Sequence, residues 1–303
     1  METFKDLLAG TVAGWAQVLV AQPFDILKVR LQTQDASNPK YRGAVDCFRQ
    51  TLRQGPLEFY RGTLSPLLGV GVVVSIQFTA LQVAQRAWLD AKRRAGDLSP
   101  TLALGEVFGC GAVAGLACSA VSSPVEHVRI RMQVQNVGAG TSYKGSVDAA
   151  RQILSQHGLA GLYKGYTPTL ARETLGFGCY FAFYEMAKRF LVQQGGSEAD
   201  LGMWDYMGAG AFAGFCMWIP SYPADVMKSR FQAMPFDQTP SLRAATKALL
   251  AKEGLRGLFA GFGPCMVRAA PVNGVTFLVY EVVKQRLDAA LPTAEHDHWQ
   301  GQT

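Results

Sequence analysis

The sequence predicts an all-α membrane protein built from three tandem repeats, and three observations support this. A ten-residue stretch that begins at Pro23 returns at Pro124 and Pro223, so its copies are 101 and 99 residues apart. Hydrophobic residues make up 49% of the chain, yet its mean hydropathy is only +0.09, which is typical of amphipathic helices around a wet cavity. An uncharged apolar run of 18 or 19 residues, long enough to cross a bilayer, ends near each proline. The runs are 7–24, 107–125 and 206–224.

The repeated stretch carries an acid, a base three residues later and a glutamine four residues after that. These spacings place the three side chains on one face of a helix. Charges at the mouth of a membrane helix are costly, and they usually face a bundle interior where they can pair. The candidate residues are Asp25, Lys28 and Gln32, then Glu126, Arg129 and Gln133, and finally Asp225, Lys228 and Gln232.

The repeat spacing also divides the chain into units. Polar, glycine-bearing linkers at 91–100 and 193–202 separate them. The tail has no apolar pattern, so we expect it to be disordered despite its two histidines. The predicted units are 1–95, 96–195 and 196–291, with 292–303 as the tail.

The first apolar helix of each repeat contains two glycines four residues apart. Small residues at this spacing allow membrane helices to approach closely. The motif proline is expected to kink each helix near its charged end. The glycine pairs are Gly10 and Gly14, Gly111 and Gly115, and Gly210 and Gly214.

A short amphipathic stretch follows each motif, at 43–53, 145–156 and 241–252, and is predicted to lie at the membrane interface. Two glycines seven residues apart then close each loop. Their exposed amides suit either simple helix capping or a lipid phosphate, and the residues alone leave both open. The glycines are Gly55 and Gly62, Gly158 and Gly165, and Gly254 and Gly261.

The second membrane helix of each repeat is less uniformly apolar. The first is uncharged over 62–85, whereas the second contains Arg172 and Glu173 and the third contains Arg268, followed by a predicted kink at Pro271. Each arginine precedes a glutamate by 13 residues, which is roughly 20 Å of helix. The arginines are therefore predicted to lie deep in the membrane.

Charge distribution argues against several function classes. The net charge is +6, but 26–61, 127–164 and 226–256 alone carry +12. A nucleic-acid binder would not divide its positive charge among three segments that lie between membrane-length apolar runs. The positive-inside rule places these three segments on the electronegative side of the membrane.

Other sequence features argue against metal binding and catalysis. The six cysteines have no metal-ligand spacing, so buried thiols are expected, and the chain lacks a GxxxxGK[ST] loop or a nucleophile–base pair. The acidic start at 1–6 is unlike a transit peptide, so no cleavable presequence is expected.

Three copies of Px[DE]xx[KR]x[KR], each followed by a glycine closure, resemble the mitochondrial carrier family over 3–289. The resemblance implies six transmembrane helices in threefold pseudosymmetry around a water-filled cavity, short matrix-side amphipathic helices, and both termini on the intermembrane-space side. It implies a monomeric, multi-pass transporter of the inner membrane that exchanges a small solute by alternating access. Neither enzymatic activity nor a cofactor is implied beyond structural cardiolipin.

The resemblance also implies two gates. On the matrix side the motif charges would pair between repeats, Lys28 with Glu126, Arg129 with Asp225 and Lys228 with Asp25, and the three glutamines would brace these pairs. The opposite gate would be weaker, because only one of its pairs is a full ion pair. Its members are Glu185 with Lys284, Gln82 with Lys188, and Glu281 with Gln85.

By family position the substrate contacts would be Gly69, Arg172 with Glu173, and Arg268, with Trp218 either capping a cationic group or packing. An adjacent arginine and glutamate suit a zwitterion. The chain is most similar to the carnitine/ornithine branch, and the segments 62–71, 123–131 and 268–274 resemble its fungal Ymc subgroup of amino-acid carriers. The prediction is therefore an amino acid such as ornithine, glutamine or glycine. A carnitine/acylcarnitine exchanger is the alternative, and an uncoupling-type proton carrier is a further one.

Overall fold

The structure is a computed structural model that describes residues 2–34, 38–97, 99, 101–135, 143–195, 201–237 and 240–290. In this part of the chain every regular element is a helix. The predicted tail at 292–303, with His296 and His298, lies outside the described residues. The helices are α1 (Glu2–Thr33), α2 (Ala44–Gln54), a 3-10 helix (Pro56–Tyr60), α3 (Leu64–Arg94), α4 (Leu104–Val134), α5 (Ser146–Leu162), α6 (Tyr166–Gly195), α7 (Met203–Cys216), α8 (Trp218–Ala233), α9 (Leu242–Gly257) and α10 (Phe262–Ala290).

Each repeat has two long helical rods with a short helix between them, which gives the six long rods and three short helices that were predicted. The rods are α1, α3, α4, α6, α7 with α8, and α10. The fifth rod is divided at Met217, although that residue keeps helical angles (φ −60°, ψ −28°). Pro220 explains the break, because it has no amide hydrogen to donate to the carbonyl of Cys216.

Several of these helices could cross a membrane. Among the described residues, three helical stretches are long and apolar enough to cross a bilayer: Pro56–Arg94, Leu104–Val134 and Phe262–Leu287. The large apolar side chains of α3 face outward, with Leu68 71% and Val83 60% exposed. Such surface is what a lipid bilayer would cover.

Each short amphipathic helix packs on the motif helix of its own repeat. Leu27 and Leu31 of α1 share a buried cluster with Cys47 of α2. The same two motif positions recur in the other repeats: Val128 and Met132 pack with Ala149 and Ile153, and Met227 and Phe231 pack with Leu249. The three-repeat pattern of the sequence is therefore reproduced in the packing.

The paired glycines of the first helices behave differently in the three repeats. A Cβ atom added to Gly111 would lie 2.6 Å from the Phe177 carbonyl oxygen, so α4 and α6 approach closely there. At Gly10 and Gly14 nothing lies within 4 Å of such an atom. The predicted close approach is therefore found in the middle repeat and is wrong for the first.

The turn glycines join neighbouring repeats. Gly62, Gly165 and Gly261 have φ values of 80°, 78° and 76°, a left-handed conformation that favours glycine. Each also lies against the motif helix of the next repeat in circular order. An added Cβ would lie 3.1 Å from the Arg129 carbonyl at Gly62 and 2.9 Å from the Lys28 carbonyl at Gly261.

Replacing Gly261 by alanine is expected to destabilise the protein by about 2 kcal/mol or more. The new side chain would be strained at positive φ and would press on backbone rather than on a flexible side chain. Thermal unfolding of the purified protein in detergent measures the loss. Gly263→Ala is the matched control, since nothing lies within 4 Å of its added Cβ and alanine favours helix. Equal stability of the two variants would contradict the packing of this turn.

Candidate functional site

The six motif charges meet at one end of the bundle and form ion pairs between repeats. Lys28 Nζ lies 2.8 Å from Asp225 Oδ2. Arg129 Nη2 lies 2.7 Å from Asp25 Oδ2, and Lys228 pairs with Glu126. We call these three contacts the matrix gate, after the role that the family resemblance implies for their residues.

The partners predicted for these charges are wrong, although the residues are the predicted ones. The predicted pairs are Lys28 with Glu126, Arg129 with Asp225 and Lys228 with Asp25. In the structure each acid pairs with the base of the following repeat, which is the opposite circular order. One acid and one base per repeat satisfy either order, so the spacing along a single helix cannot choose between them.

The motif glutamines do not act alike. Gln32 Nε2 donates to Asp225 Oδ2 at 2.9 Å and so braces the Lys28–Asp225 pair as predicted. Gln232 Nε2 instead donates to Thr169 Oγ1 at 3.3 Å. Neither the amide nitrogen nor the amide oxygen of buried Gln133 has a hydrogen-bond partner in the described part of the chain. The predicted bracing is therefore observed in one repeat only.

The two deep arginines reach the carboxylates of the matrix gate. Arg172 Nη2 lies 3.0 Å from Glu126 Oε1, and its Nε lies 3.9 Å from Asp225 Oδ1. Arg268 Nη1 lies 3.4 Å from Asp25 Oδ1. Each gate carboxylate therefore faces a base of its pair and one of the arginines predicted to hold substrate.

Glu173 is a buried fourth carboxylate beside this cluster. Its Oε2 lies 3.1 Å from Arg172 Nη1, and its Oε1 accepts a hydrogen bond from Ser122 Oγ at 3.1 Å. The residue is only 3% exposed. Among the described residues, five bases therefore share the cluster with four carboxylates, which leaves one net positive charge.

Trp218 caps a cation, but that cation belongs to the protein. Lys28 Nζ lies 4.3 Å from the centroid of the Trp218 ring, and the Arg268 guanidinium carbon lies 6.0 Å from it. Gly69, by contrast, is not part of the cluster. An added Cβ would lie 3.2 Å from Val125 Cγ1, so Gly69 allows close packing of α3 on α4.

A cavity of about 1070 Å³ lies between α3, α6, α7 and α10. Its wall includes Phe177 and Asn273, which are each five residues beyond a deep arginine, or roughly 7 Å further along the helix. The charged cluster therefore lies deeper than the cavity wall. Sequence reasoning missed Gln77, Tyr180, Met217 and Asn273 in this wall, although Gln77 was visible as a polar residue inside an uncharged run.

The predicted second gate lies at this cavity. Gln85, Glu185 and Lys188 are among its lining residues. Glu185 is bound within its own helix, by Lys188 at 3.2 Å and Arg189 at 2.8 Å. The predicted partnerships of Glu185 with Lys284 and of Gln82 with Lys188 stay predictions, and the Glu281 side chain lies outside the described residues.

The second base of each motif lies two residues after the gate base and binds groups in the layer just past the gate, on the side away from the cavity. Arg30 lies 3.4 Å from Glu58, and Arg230 binds both carboxylate oxygens of Glu253, at 2.5 and 2.7 Å. The corresponding Arg131 donates to the carbonyl of Met234 at 2.5 Å, and its guanidinium lies 4.4 Å from the Phe236 ring.

Lys164, in the turn between α5 and α6, joins repeats two and three in this layer. Its Nζ donates to the carbonyls of Met234 and Pro235, at 2.7 and 2.6 Å. Burial, aided by nearby Arg131, lowers the pKa of Lys164 to about 8. The folded protein therefore loses this proton at lower pH than the unfolded chain does.

Stability is accordingly expected to rise with pH between about 8 and 10.5, since the unfolded chain binds more protons there. The energetic cost of burying the charge is fully present below pH 8 and is relieved above it. Thermal midpoints measured across this range for the wild type and Lys164→Met give the test. The difference between the two should change with pH, and parallel curves would contradict the lowered pKa.

The family model described as mitochondrial carrier protein matches this chain three times, at 1–92, 101–195 and 199–290. The glutamate/glycine mitochondrial carrier ymc1 of Schizosaccharomyces pombe is 43% identical, with 94% of this chain and 95% of the relative covered. The mitochondrial glycine transporter YMC1 of Saccharomyces cerevisiae is 42% identical, over 93% and 91% of the two chains. The mitochondrial carnitine/acylcarnitine carrier protein of Mus musculus is 35% identical, over 95% and 96%.

Proposed function

The chain belongs to the mitochondrial carrier family, a family of inner-membrane transporters, and we propose that it exchanges small amino acids, glutamate and glycine in particular, by alternating access. It is a multi-pass protein of the mitochondrial inner membrane. The substrate would enter the 1070 Å³ cavity from the side opposite the matrix gate and bind at the charged cluster.

The net positive charge of the buried cluster is the observation that carries this proposal. Five bases face four carboxylates, so the site attracts a solute carboxylate, and bound glutamate, with a net charge of −1, would neutralise the site completely. Donors for it are also at hand, because Arg172 Nε and Arg268 Nε are buried without a hydrogen-bond partner among the described residues. A planar guanidinium suits a carboxylate, and an unsatisfied buried donor is costly until a ligand binds it.

The ammonium group of an amino acid would be recognised by Glu173. Its carboxylate is already held by Ser122 and Arg172, so it is oriented before a ligand arrives. When Arg172 turns to the substrate carboxylate, Glu173 loses its cation and can accept the substrate ammonium. An adjacent arginine and glutamate then bind the two ends of one small zwitterion.

Binding at these arginines would also weaken the matrix gate. Arg172 holds Glu126 and Asp225, and Arg268 holds Asp25, so a substrate carboxylate competes with the gate carboxylates for the same guanidinium groups. Buried ion pairs have a modest net worth because desolvation offsets much of their attraction. Loss of an arginine contact can therefore shift the gate toward its open state.

Two relatives named as glycine or glutamate/glycine carriers support the amino-acid assignment. The carnitine alternative is supported by a relative at 35% identity. Carnitine and glycine are both zwitterions without net charge, so the charge of the cluster does not separate them; the quaternary ammonium of carnitine, however, has no N–H to donate to Glu173, whereas an amino-acid ammonium has three. Two further proposals concern the surroundings of the chain: it works as a monomer, because one chain encloses the cavity, and its turn glycines and matrix-side bases bind cardiolipin.

Reconstitution into liposomes tests the proposed substrate. Vesicles are loaded in turn with glutamate, glycine, ornithine, glutamine and carnitine, and uptake of each labelled solute is measured. We expect exchange of glutamate and glycine that is lost in Arg172→Ala. Uptake of carnitine alone would refute the amino-acid assignment, and proton conductance insensitive to Arg172→Ala would favour an uncoupling carrier.

A further inference from the structure

The residue before each motif proline makes a different contact in each repeat. In the first repeat Gln22 is fully buried, and its Nε2 donates to the carbonyl oxygen of Arg61 at 2.8 Å. Arg61 directly precedes the turn glycine Gly62. This bond ties the start of the motif in α1 to the turn that opens α3.

The third repeat makes the same connection with another side chain. The hydroxyl of Tyr222 donates to the carbonyl oxygen of Ala260 at 3.0 Å. Ala260 directly precedes the turn glycine Gly261, so donor and acceptor occupy the positions of Gln22 and Arg61. We call these two hydrogen bonds the turn straps.

In the middle repeat, the residue before the motif proline makes no turn strap among the described residues; the turn is tied to α4 from the other side, by the Tyr163 hydroxyl donating to the Ala120 carbonyl at 2.9 Å, a bond that involves no gate residue. The corresponding position is Ser123, whose buried hydroxyl has no hydrogen-bond partner there. A serine side chain is shorter than glutamine or tyrosine by several atoms. It is therefore too short to make the equivalent bond to the carbonyl of Lys164.

Each strap residue also contacts a base of the matrix gate. Gln22 Oε1 accepts a hydrogen bond from Arg129 Nη2 at 2.6 Å, and the same nitrogen binds Asp25 at 2.7 Å. Lys28 Nζ lies 5.4 Å from the ring of Tyr222. Two of the three gate pairs are thus held by a strap residue, and the Glu126–Lys228 pair is not.

We propose that Gln22 and Tyr222 are positioning residues that hold the matrix gate closed, and that the unstrapped Glu126–Lys228 pair is where the gate begins to part. This inference rests on the proposed transport function. Glu126 is also the gate carboxylate nearest to Arg172, at 3.0 Å against 3.9 Å for Asp225, so a substrate carboxylate that takes up Arg172 would disturb the unstrapped pair most. The unstrapped pair and the proposed substrate contact at Arg172 therefore share the Glu126 carboxylate.

The test compares uptake into empty liposomes, which requires gate opening without counter-substrate, with exchange into loaded ones. Labelled glutamate and glycine serve as probes. Gln22→Met and Tyr222→Phe remove the strap bonds at nearly constant volume, and we expect them to raise the ratio of empty to loaded uptake by about three- to tenfold. Ser123→Gln supplies a third strap and should lower the ratio. Thr246→Val, which loses only a local hydroxyl bond in α9, is the control.

An unchanged ratio in Gln22→Met, or a ratio matched by Thr246→Val, would overturn the proposal. If Gln22→Met does not fold, Ser123→Gln decides, since it adds a contact rather than removing one. Its thermal midpoint in detergent needs no solute: a rise supports the strap and a fall contradicts it. If the wild type carries neither probe, the proposed substrate fails while this midpoint still tests the strap.

Discussion

Lys28→Asp is expected to reduce exchange at least about 100-fold, and adding Asp225→Lys is expected to restore most of it. The single change places two carboxylates together at a buried site where the wild type has an ion pair of 2.8 Å. Breaking a buried pair by removing one partner costs about 3–5 kcal/mol, which corresponds to a factor of 10² or more. The double variant restores the pair with its signs exchanged. The rate of amino-acid exchange in liposomes measures each variant.

The matched control uses the other circular order of the gate. Lys28→Glu combined with Glu126→Lys exchanges signs between two residues that are not partners in the structure. This double variant should stay as inactive as its parents, because each new charge faces a like charge of its true partner. Rescue here, together with failure of the Lys28–Asp225 exchange, would reverse the assignment of pairs. Rescue is expected to be incomplete, since Lys28 also contacts Trp218.

Arg172→Ala is expected to lower kcat/KM for the amino acid by about 100-fold. The change removes the guanidinium proposed to bind substrate and leaves Glu126, Glu173 and Asp225 with one cation fewer. Hydrogen bonds to charged groups contribute about 1.5–3 kcal/mol, so losing one is expected to lower kcat/KM by a factor of about 10 to 100 or more. Arg172→Lys should recover only part of the loss, because an ammonium cannot form the two-pronged contact.

The control for this change is Arg243→Ala, an exposed arginine on α9. This variant also loses one positive charge, but at a residue that does not contact the gate. The rate of exchange should therefore be unchanged. Arg172→Ala transporting at the control rate would contradict the substrate site. A large rise in KM with unchanged kcat would assign Arg172 to binding alone and would argue against its part in opening the gate.

Much of the fold was predictable because it depends on patterns among residues that are close together in the sequence. Apolar runs, a threefold motif and amphipathic stretches each depend on neighbours within one helix, and the three short helices begin within one residue of the predicted positions. The residues of the matrix gate followed from the same motif. These features need no knowledge of how the helices are arranged.

The errors arose where the arrangement between helices decides. The order of gate partners depends on the direction in which the repeats follow one another around the bundle, and no single helix carries this information. A Cβ atom added to Gly69 would face Val125 of α4, a packing contact that no local pattern indicated, and the predicted contact of Gly69 with substrate stays a prediction. Gln22 contacts residues 39 and 107 positions away, and nothing local identifies it as a contact of Arg129.

The most direct test of the account is to lock the matrix gate. Cysteines replace Lys28 and Asp225, and a short bifunctional thiol reagent with a cleavable linker joins them in membranes. The wild type, with its six native cysteines, receives the same treatment as the control. If the gate must part in every cycle, glutamate exchange stops in the joined protein and returns when the linker is cleaved. Exchange at the unjoined rate while the two helices stay linked would contradict the account.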